Sequence, residues 1–423
     1  MLDRLARFDR MKLASALAIV LGALGYAVTS GYDNKLLRAA SVVALAIGLS
    51  SIVIASLGAL SRRWLAADPR RQRFAQYALT AALVALAALA PWYVENIPHF
   101  SLLKLTAAIT FMMVILGLNL LTGFGGQISL GHSAFFAVGG YTTAILSREW
   151  GISWGYSIPV AAILAGAVGF LFGLPALRLK GLYLALATLA LAVTVAPLAK
   201  KFDGFTGGVQ GIVLFGKVNP LFGDKTDQIF RDRFFYYTVA IIAGMLFLIA
   251  WNLMRGRFGR ALVAIRDSET AAAAMGVNVA LYKTTTFAIS AAYAGIAGAL
   301  NAVIIGFVGP DQYSLTLSIK FLVGSVVGGI ASLAGAVFGG LFQQFTPDYA
   351  AEINKAAPDA IFAVILIVLI YVMPSGISGY VHKVWRYGVD QLRRKGEPEP
   401  LATSPIHGAD PGPPASSAPN DQT

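Results

Sequence analysis

Long apolar stretches alternate with short polar loops along most of the chain. Many stretches run for about 20 residues, enough for a helix that rises 1.5 Å per residue to cross a hydrocarbon core of roughly 30 Å. The sequence does not show the short alternating strands of a membrane barrel. We therefore predict an all-α, polytopic transmembrane helical bundle that includes broken or short membrane helices. The predicted spans are Leu13–Thr29, Ala39–Leu60, Phe74–Tyr93, Leu102–Leu121, a short Ala134–Leu146, Ile158–Leu177, Leu182–Leu198, Phe235–Leu253, Thr285–Val308, Leu315–Ile330, a short Ala334–Phe345 and Ile361–Met373.

Composition and charge agree with a membrane protein. The chain has 423 residues, of which 57% are hydrophobic and 13% charged, and it contains no cysteine. A water-soluble globule needs more polar surface than this. The absence of cysteine excludes a disulfide framework and a thiolate metal site, and no His, Asp and Glu cluster has the spacing of metal ligands.

The net charge of +12 describes membrane topology better than a nucleic-acid surface. The basic residues lie in short loops beside the apolar stretches, as the positive-inside rule requires, so no nucleic-acid partner is expected. A cytoplasmic N-terminus, an uncleaved first helix and a cytoplasmic C-terminus in the bacterial inner membrane are predicted, with Lys200 and Lys201 as exceptions on the outside. The residues that this orientation places inside are Arg62, Arg63, Arg70, Arg71, Arg73, Arg178, Lys180, Arg255, Arg257, Arg260, Arg266, Lys383, Arg386, Arg393, Arg394 and Lys395.

Two glycine-containing segments share the pattern G-G-x-x-S-L. We call Gly125–Leu130 (GGQISL) the first glycine segment and Gly328–Leu333 (GGIASL) the second; each follows a full span and precedes a short one. Paired interruptions in two halves of a transporter point to an internal repeat and a substrate path, whereas small residues can also serve only to let helices approach closely. Polar side chains nearby can line the path or hold helices together by hydrogen bonds. The candidate pathway residues are Asn119, Gly125, Gly126, Gln127, Ser129, His132, Gly328, Gly329 and Ser332.

Two motifs resemble nucleotide-binding sequences but lack features that nucleotide binding requires. Gly211–Val218 has the spacing of a phosphate-binding loop, but Val218 replaces the Ser or Thr that would bind magnesium, and no strand-to-helix context surrounds it. The first glycine segment lacks the nucleotide domain in which an ATPase signature would sit. His132 and Ser133 are adjacent on a helix and do not face each other, so they form no catalytic pair. We predict that the chain is not an enzyme and binds no cofactor itself.

One loop between spans is helical and charged. Within Arg255–Lys283, which we call the coupling segment, Asp267 or Ser268 can cap a helix over Glu269–Met275 that Gly276 ends. Such a helix fits a groove of another protein, or it is a solvated connector at the membrane surface. The predicted apolar contacts are Leu262, Ile265, Ala272 and Met275, and the predicted charged contacts are Arg260, Arg266, Asp267 and Glu269.

Three ordered motifs resemble the permease subunits of branched-chain amino acid ABC importers, the LivM type of the LivH/LivM family. They are TGFGGQISLGHSAFFAVGGYTTAIL, FGRALVAIRDSETAAAAMGVNVALYKTTTFAISAAYAGIAGAL and SIKFLVGSVVGGIASLAGAVFGGLF, within a likeness over about Leu102–Met373. The resemblance implies a second, LivH-like permease chain, two ABC ATPase subunits that hold ATP and magnesium, and an external substrate-binding protein. The residues that it implies engage an ATPase are Arg266, Asp267, Glu269, Ala272, Met275 and Gly276.

The expected function is import of branched-chain or related hydrophobic amino acids by alternating access. An importer of urea, short amides or aromatic acids remains an alternative, because a cavity lined by Gly and Ala does not identify its ligand. An ion-coupled transporter would need an intramembrane carboxylate, and the spans contain almost none. The predicted organisation is an N-terminal extension of three spans (1–101), a permease core (102–380) and a basic, then Pro-rich, disordered cytoplasmic tail (381–423).

Overall fold

The computed structural model describes residues 102–179, 181–214, 228–353 and 358–380, together with Pro91 and Lys383. The three predicted N-terminal spans, nearly all of the tail, Lys217 and Val218 lie outside the described residues. Nothing described therefore tests the predicted organisation of 1–101 or 381–423.

Helices form almost all of the described chain. The α-helices are α1 Leu102–Leu118, α2 His132–Glu149, α3 Trp154–Ala176, α4 Leu182–Lys201, α5 Asp203–Thr206, α6 Gln228–Arg255, α7 Arg257–Asp267, α8 Glu269–Ala274, α9 Val279–Ile305, α10 Leu315–Gly328, α11 Leu333–Ile353 and α12 Pro358–Val372. A π-helix covers Asn119–Phe124, and short 3-10 helices cover Gly208–Gln210 and Pro310–Tyr313. The strands β1 Ile212–Val213 and β2 Phe307–Val308 pair antiparallel, with Ile212 opposite Val308.

The predicted all-α membrane fold is confirmed. Among the described residues, six helical stretches are long and apolar enough to cross a membrane. They are Leu102–Phe124, Trp154–Pro175, Leu182–Lys201, Phe230–Arg255, Val279–Ile305 and Ala360–Tyr380.

The two spans predicted to be short are longer than expected. Ala134–Leu146 lies inside α2, which has 18 residues, and Ala334–Phe345 lies inside α11, which has 21. An apolar run marks only the part of a helix in contact with lipid or core, while backbone hydrogen bonding continues through polar ends. The same reason moves the start of Thr285–Val308 back to Val279, where the side chain of Asn278 accepts a hydrogen bond from the backbone of Leu281.

The α9 helix lies at the centre of the bundle, packed against α1, α2 and α3. Its contacts with α2 depend on glycine. A Cβ atom placed on Gly139 of α2 would lie 1.9 Å from the carbonyl oxygen of Gly295, and one on Gly298 would lie 1.9 Å from the carbonyl oxygen of Phe136. The two backbones therefore approach as closely as in small-residue contacts between membrane helices.

One end of the bundle gathers both glycine segments and the coupling segment, and we call it the coupling end. A Cβ atom on Gly123 would lie 2.3 Å from the backbone nitrogen of Ala331. A cleft at this end is lined by Gly125, Leu179 and Ile265, among others. The strands lie at the opposite end of α9, since β2 follows its C-terminus.

Candidate functional site

The first break in the membrane helices is a change of helix type. The α1 helix continues as the π-helix Asn119–Phe124, in which the backbone of Gly125 donates to the carbonyl of Leu120 over 3.1 Å. Gly126 then takes a φ of 68°, a left-handed conformation that favours glycine, and the chain runs without helix until α2 begins at His132. π-Helical turns inside α-helices are frequent at functional sites.

Asn119, in the π-helix before the first glycine segment, bonds to the second glycine segment. Its Nδ2 atom donates to the carbonyl oxygen of Ser332 over 2.9 Å, and its Oδ1 atom accepts from the hydroxyl of Ser325. The side chain of Asn119 is fully buried. Asn119 thus joins the π-helix before the first glycine segment to α10 and to the second glycine segment. An internal structural repeat remains a prediction.

Within the second glycine segment, backbone conformation explains the small residues. A Cβ atom on Gly328 would lie 2.0 Å from the carbonyl oxygen of Gly335, and Gly329 has a φ of 120°. Ser332 accepts a hydrogen bond from the backbone of Gly335 over 3.1 Å at the start of α11, and its hydroxyl lies 2.6 Å from that of Ser378. These residues form a tightly packed turn between α10 and α11.

A buried chain of hydrogen bonds joins α1, α2 and α9. The hydroxyl of Ser290 donates to the carbonyl oxygen of Gly117 over 2.7 Å, so it accepts from Nε2 of His132, also at 2.7 Å. A neutral imidazole protonated on Nε2 leaves Nδ1 as an acceptor for the hydroxyl of Ser129 at 3.1 Å. Ser129, His132 and Ser290 are each at most 1% exposed. This geometry therefore favours the alternative in which these side chains hold helices together by hydrogen bonds, over the one in which they line a substrate path.

The short helix of the coupling segment forms as predicted. Of the two predicted caps, Ser268 is the one used, since its hydroxyl accepts from the backbone of Ala271 over 3.3 Å. Gly276 follows the helix with a φ of 82°. The carboxylate of Asp267 instead lies 3.2 Å from the guanidinium of Arg266.

The apolar residues of the coupling segment divide into two groups. Leu262 and Ile265 on α7 and Ala272 on α8 are at most 4% exposed and pack within the chain, so the expectation that they offer contacts to another protein is corrected. Leu262 and Ile265 are buried because α7 is amphipathic and lies against the bundle with this face, leaving Arg257 exposed. Met275 is 85% exposed at the end of α8.

Polar contacts connect α7 and α8 to the π-helix and to α9, and α9 to the first glycine segment. The guanidinium of Arg266 donates to the carbonyl oxygen of Gly123 over 3.1 Å. The ammonium of Lys283 on α9 lies 2.5 Å from the carboxylate of Glu269 on α8, and Nε2 of Gln127 lies 3.5 Å from the carbonyl oxygen of Lys283. The cleft between these parts has a volume of about 70 Å³. The residues that line it are Gly125, Gly126, Gln127, Leu179, Gly181, Leu184, Ile265, Arg266, Glu269 and Lys283.

Comparison with known proteins places the sequence in a family. The sequence model of the family described as "Branched-chain amino acid transport system / permease component" matches residues 102–373. The chain belongs to this family. It is therefore a transport permease and not an enzyme, as predicted, and it is a multi-pass membrane protein.

Named relatives support the assignment. The "High-affinity branched-chain amino acid transport system permease protein LivM" of Escherichia coli is 32% identical over 293 residues, which are 64% of this chain and 68% of that protein. The protein named LivH from the same organism is 23% identical over 291 residues, or 65% of this chain and 92% of that protein. A probable LivM permease of Methanocaldococcus jannaschii is 31% identical over 144 residues, 34% of this chain and 40% of that protein. No solved structure matches the chain.

In this permease, the predicted pathway residues lie in two different environments. Gly125, Gly126 and Gln127 line the cleft beside the coupling segment. Asn119 and His132 are instead buried in contacts between helices. Contact between these residues and the substrate remains a prediction.

Sequence reasoning missed the polar face of α9. Lys283, Ser290 and Asn301 are buried and bonded, to Glu269, His132 and Thr110 respectively. Their spacings of seven and eleven residues return to the same side of a helix, a signal that was present in the sequence.

Proposed function

We propose that this chain is the LivM-type permease subunit of an ATP-driven importer for branched-chain amino acids. It forms one half of the membrane path and pairs with a LivH-like permease chain. Two ABC ATPase subunits bind ATP and magnesium and attach at the coupling end, and an external binding protein delivers the amino acid. Transport proceeds by alternating access without covalent chemistry on this chain.

The observation that carries the proposal is the direct connection between the coupling segment and the broken end of α1. The exposed part of α8, with Met275 at its end, is available to a partner, while Arg266 of the preceding helix bonds to the carbonyl of Gly123. Movement imposed on α7 and α8 by a partner therefore acts directly on the end of a membrane helix.

Charge supports an orientation with the coupling end in the cytoplasm. The exposed residues Arg178, Arg257 and Arg260 lie at this end, as the positive-inside rule requires for a cytoplasmic face. Lys200, an exception to that rule, pairs with Asp311 over 2.7 Å at the opposite end, so its positive charge is offset. Together with the three predicted N-terminal spans, this orientation leads us to infer that both termini are cytoplasmic.

Relatives support the choice of partner and substrate. Both LivM and LivH are named as permeases of branched-chain amino acid transport systems, and this chain is more similar to LivM. A LivH-like chain is then the complementary half. The comparisons favour amino acids over urea, short amides or aromatic acids.

Co-purification and a substrate panel test the proposal. The tagged chain is purified after co-expression with the LivH-like permease, the two ATPases and the binding protein encoded in the same organism. We expect the LivH-like permease and both ATPases to elute with the chain, whereas co-elution of the binding protein is not required. Uptake by proteoliposomes should then be highest for leucine, isoleucine and valine, and low for urea, acetamide and phenylalanine. Elution of the chain without ATPases, or a preference for urea or an amide, would contradict the proposal.

A further inference from the structure

The α8 helix has few contacts of its own that fix its position. It has six residues, Glu269–Ala274, and Ala272 is its buried residue. A helix of this length has little stability alone, because nucleation is unfavourable and few backbone bonds follow. Contacts with neighbouring helices must therefore determine where α8 lies.

The ion pair between Glu269 and Lys283 provides such a contact. It joins the first residue of α8 to the second turn of α9, 14 positions later in the chain, across the turn at Gly276. The side chain of Lys283 is 8% exposed and that of Glu269 is 36% exposed. An ammonium group buried to this extent is costly without an opposing charge, so the pair resists separation more strongly than an exposed ion pair.

Lys283 also connects the pair to the first glycine segment. Its backbone carbonyl oxygen lies 3.5 Å from Nε2 of Gln127, whose side chain is 4% exposed. The helices α7 and α8 thus make polar contacts with two membrane helices, Arg266 with the π-helix that continues α1 and Glu269 with the start of α9.

From this arrangement we propose that Glu269 and Lys283 are positioning residues that make α8 and the first turns of α9 move as one unit. The inference rests on the proposed function, in which an ATPase displaces α8. The carboxylate of Glu269 then faces its own chain and transmits movement, rather than binding the ATPase. Separation of the pair lets α8 move without α9, so that ATP hydrolysis continues while import falls.

Spin labels test the mechanical part without any partner. The chain has no native cysteine, so Ala273→Cys and Leu281→Cys, both at exposed positions of α8 and α9, allow two labels to be attached without further changes. We expect a narrow distance distribution in the otherwise unchanged chain and a broad one after Glu269→Gln. Thr270→Ala is the matched control. Thr270 is exposed on the same helix and its hydroxyl lies near that of Ser268, so the variant removes a polar contact of α8 but leaves the ion pair intact.

The importer reconstituted with its partners tests the functional part. The measured quantity is the number of leucine molecules imported per ATP hydrolysed, together with the amount of co-purified ATPase. For Glu269→Gln and Lys283→Gln we expect this ratio to fall by about fivefold with normal ATPase attachment, a size typical of changes in coupling between sites. The exchanged pair Glu269→Lys with Lys283→Glu should recover most of the ratio, and Thr270→Ala should not change it.

Other results overturn the inference. If Glu269→Gln releases the ATPases and the exchanged pair does not restore them, Glu269 binds the partner directly. If the label distances and the ratio match those of Thr270→Ala, the pair does not transmit movement. Should Lys283 variants fail to reach the membrane, Glu269→Asp, which keeps the charge on a shorter side chain, must give a ratio between those of the unchanged chain and Glu269→Gln. If the unchanged chain with its ATPases does not import leucine, the proposed function is wrong, and so is the inference that rests on it.

Discussion

A single methyl group on Gly126 should uncouple the coupling segment from the first glycine segment. Gly126 has a φ of 68°, and a Cβ atom there would lie 2.9 Å from Cγ of Arg266. Gly126→Ala therefore has two costs. The left-handed conformation costs about 1–2 kcal/mol for a residue other than glycine. Displacing Arg266 weakens its bond to the carbonyl of Gly123, for a further cost of about 1 kcal/mol at this partly exposed site.

Gly151 supplies a matched control for the first cost. It has a φ of 62° in the loop between α2 and α3, and a Cβ atom there would have no neighbour within 4 Å. Gly151→Ala should thus cost about 1–2 kcal/mol of folding free energy from backbone strain alone. Because a domain is stable by about 5–15 kcal/mol, both variants should still fold.

The assay is leucine uptake normalised to the amount of protein in the membrane, together with the thermal unfolding midpoint of the purified complex. We expect both variants to lower the midpoint, Gly126→Ala somewhat more. Uptake should fall about fivefold for Gly126→Ala, the change that corresponds to about 1 kcal/mol of coupling free energy, and should be nearly normal for Gly151→Ala. Equal uptake by the two variants would refute the view that contact between Gly126 and Arg266 matters for transport.

Three further predictions concern packing, buried polarity and the exposed tip. Gly139→Ala should prevent the close approach of α2 and α9 and leave little monodisperse protein on size exclusion, whereas a normal yield would show that the bundle adapts to the added methyl group. Ser290→Ala removes the hydrogen-bond partner of His132 and should destabilise the protein by about 1–3 kcal/mol in thermal unfolding, with an unchanged midpoint as the contrary result. Met275→Lys should reduce ATPase co-purification without altering the midpoint, while Val209→Lys, at a residue 69% exposed, should not; similar retention of ATPases by both would exclude Met275 from the partner surface.

The helices were predictable because their signals are local. Apolar runs marked every described span, and Ser268 with Gly276 marked the limits of α8. Cap chemistry acts over three or four residues, so it can be read directly from the sequence. Helix ends were less accurate, since polar residues such as Arg148 and Glu149 continue α2 beyond its apolar run.

The candidate site was only partly predictable because its contacts are tertiary. Asn119 bonds to the carbonyl of Ser332, which lies 213 positions away, and hydropathy gives no information about that pairing. The π-helix after α1 has the sequence NLLTGF, in which no residue specifies a π-helical rather than an α-helical hydrogen-bond pattern, so the sequence did not predict it. Lys283 seemed to belong to the end of a polar loop, yet it is buried in α9, where the carboxylate of Glu269 offsets its charge.

ATP-dependent accumulation of leucine tests the central claim most directly. The chain is reconstituted with its LivH-like partner and the two ATPases in sealed proteoliposomes, with ATP and magnesium on the side of the ATPases and the binding protein with leucine on the other. Ionophores abolish proton and sodium gradients. The account predicts leucine accumulation above its external concentration with ATP, and none with a non-hydrolysable ATP analogue. Accumulation that requires an ion gradient and proceeds without ATP would contradict it.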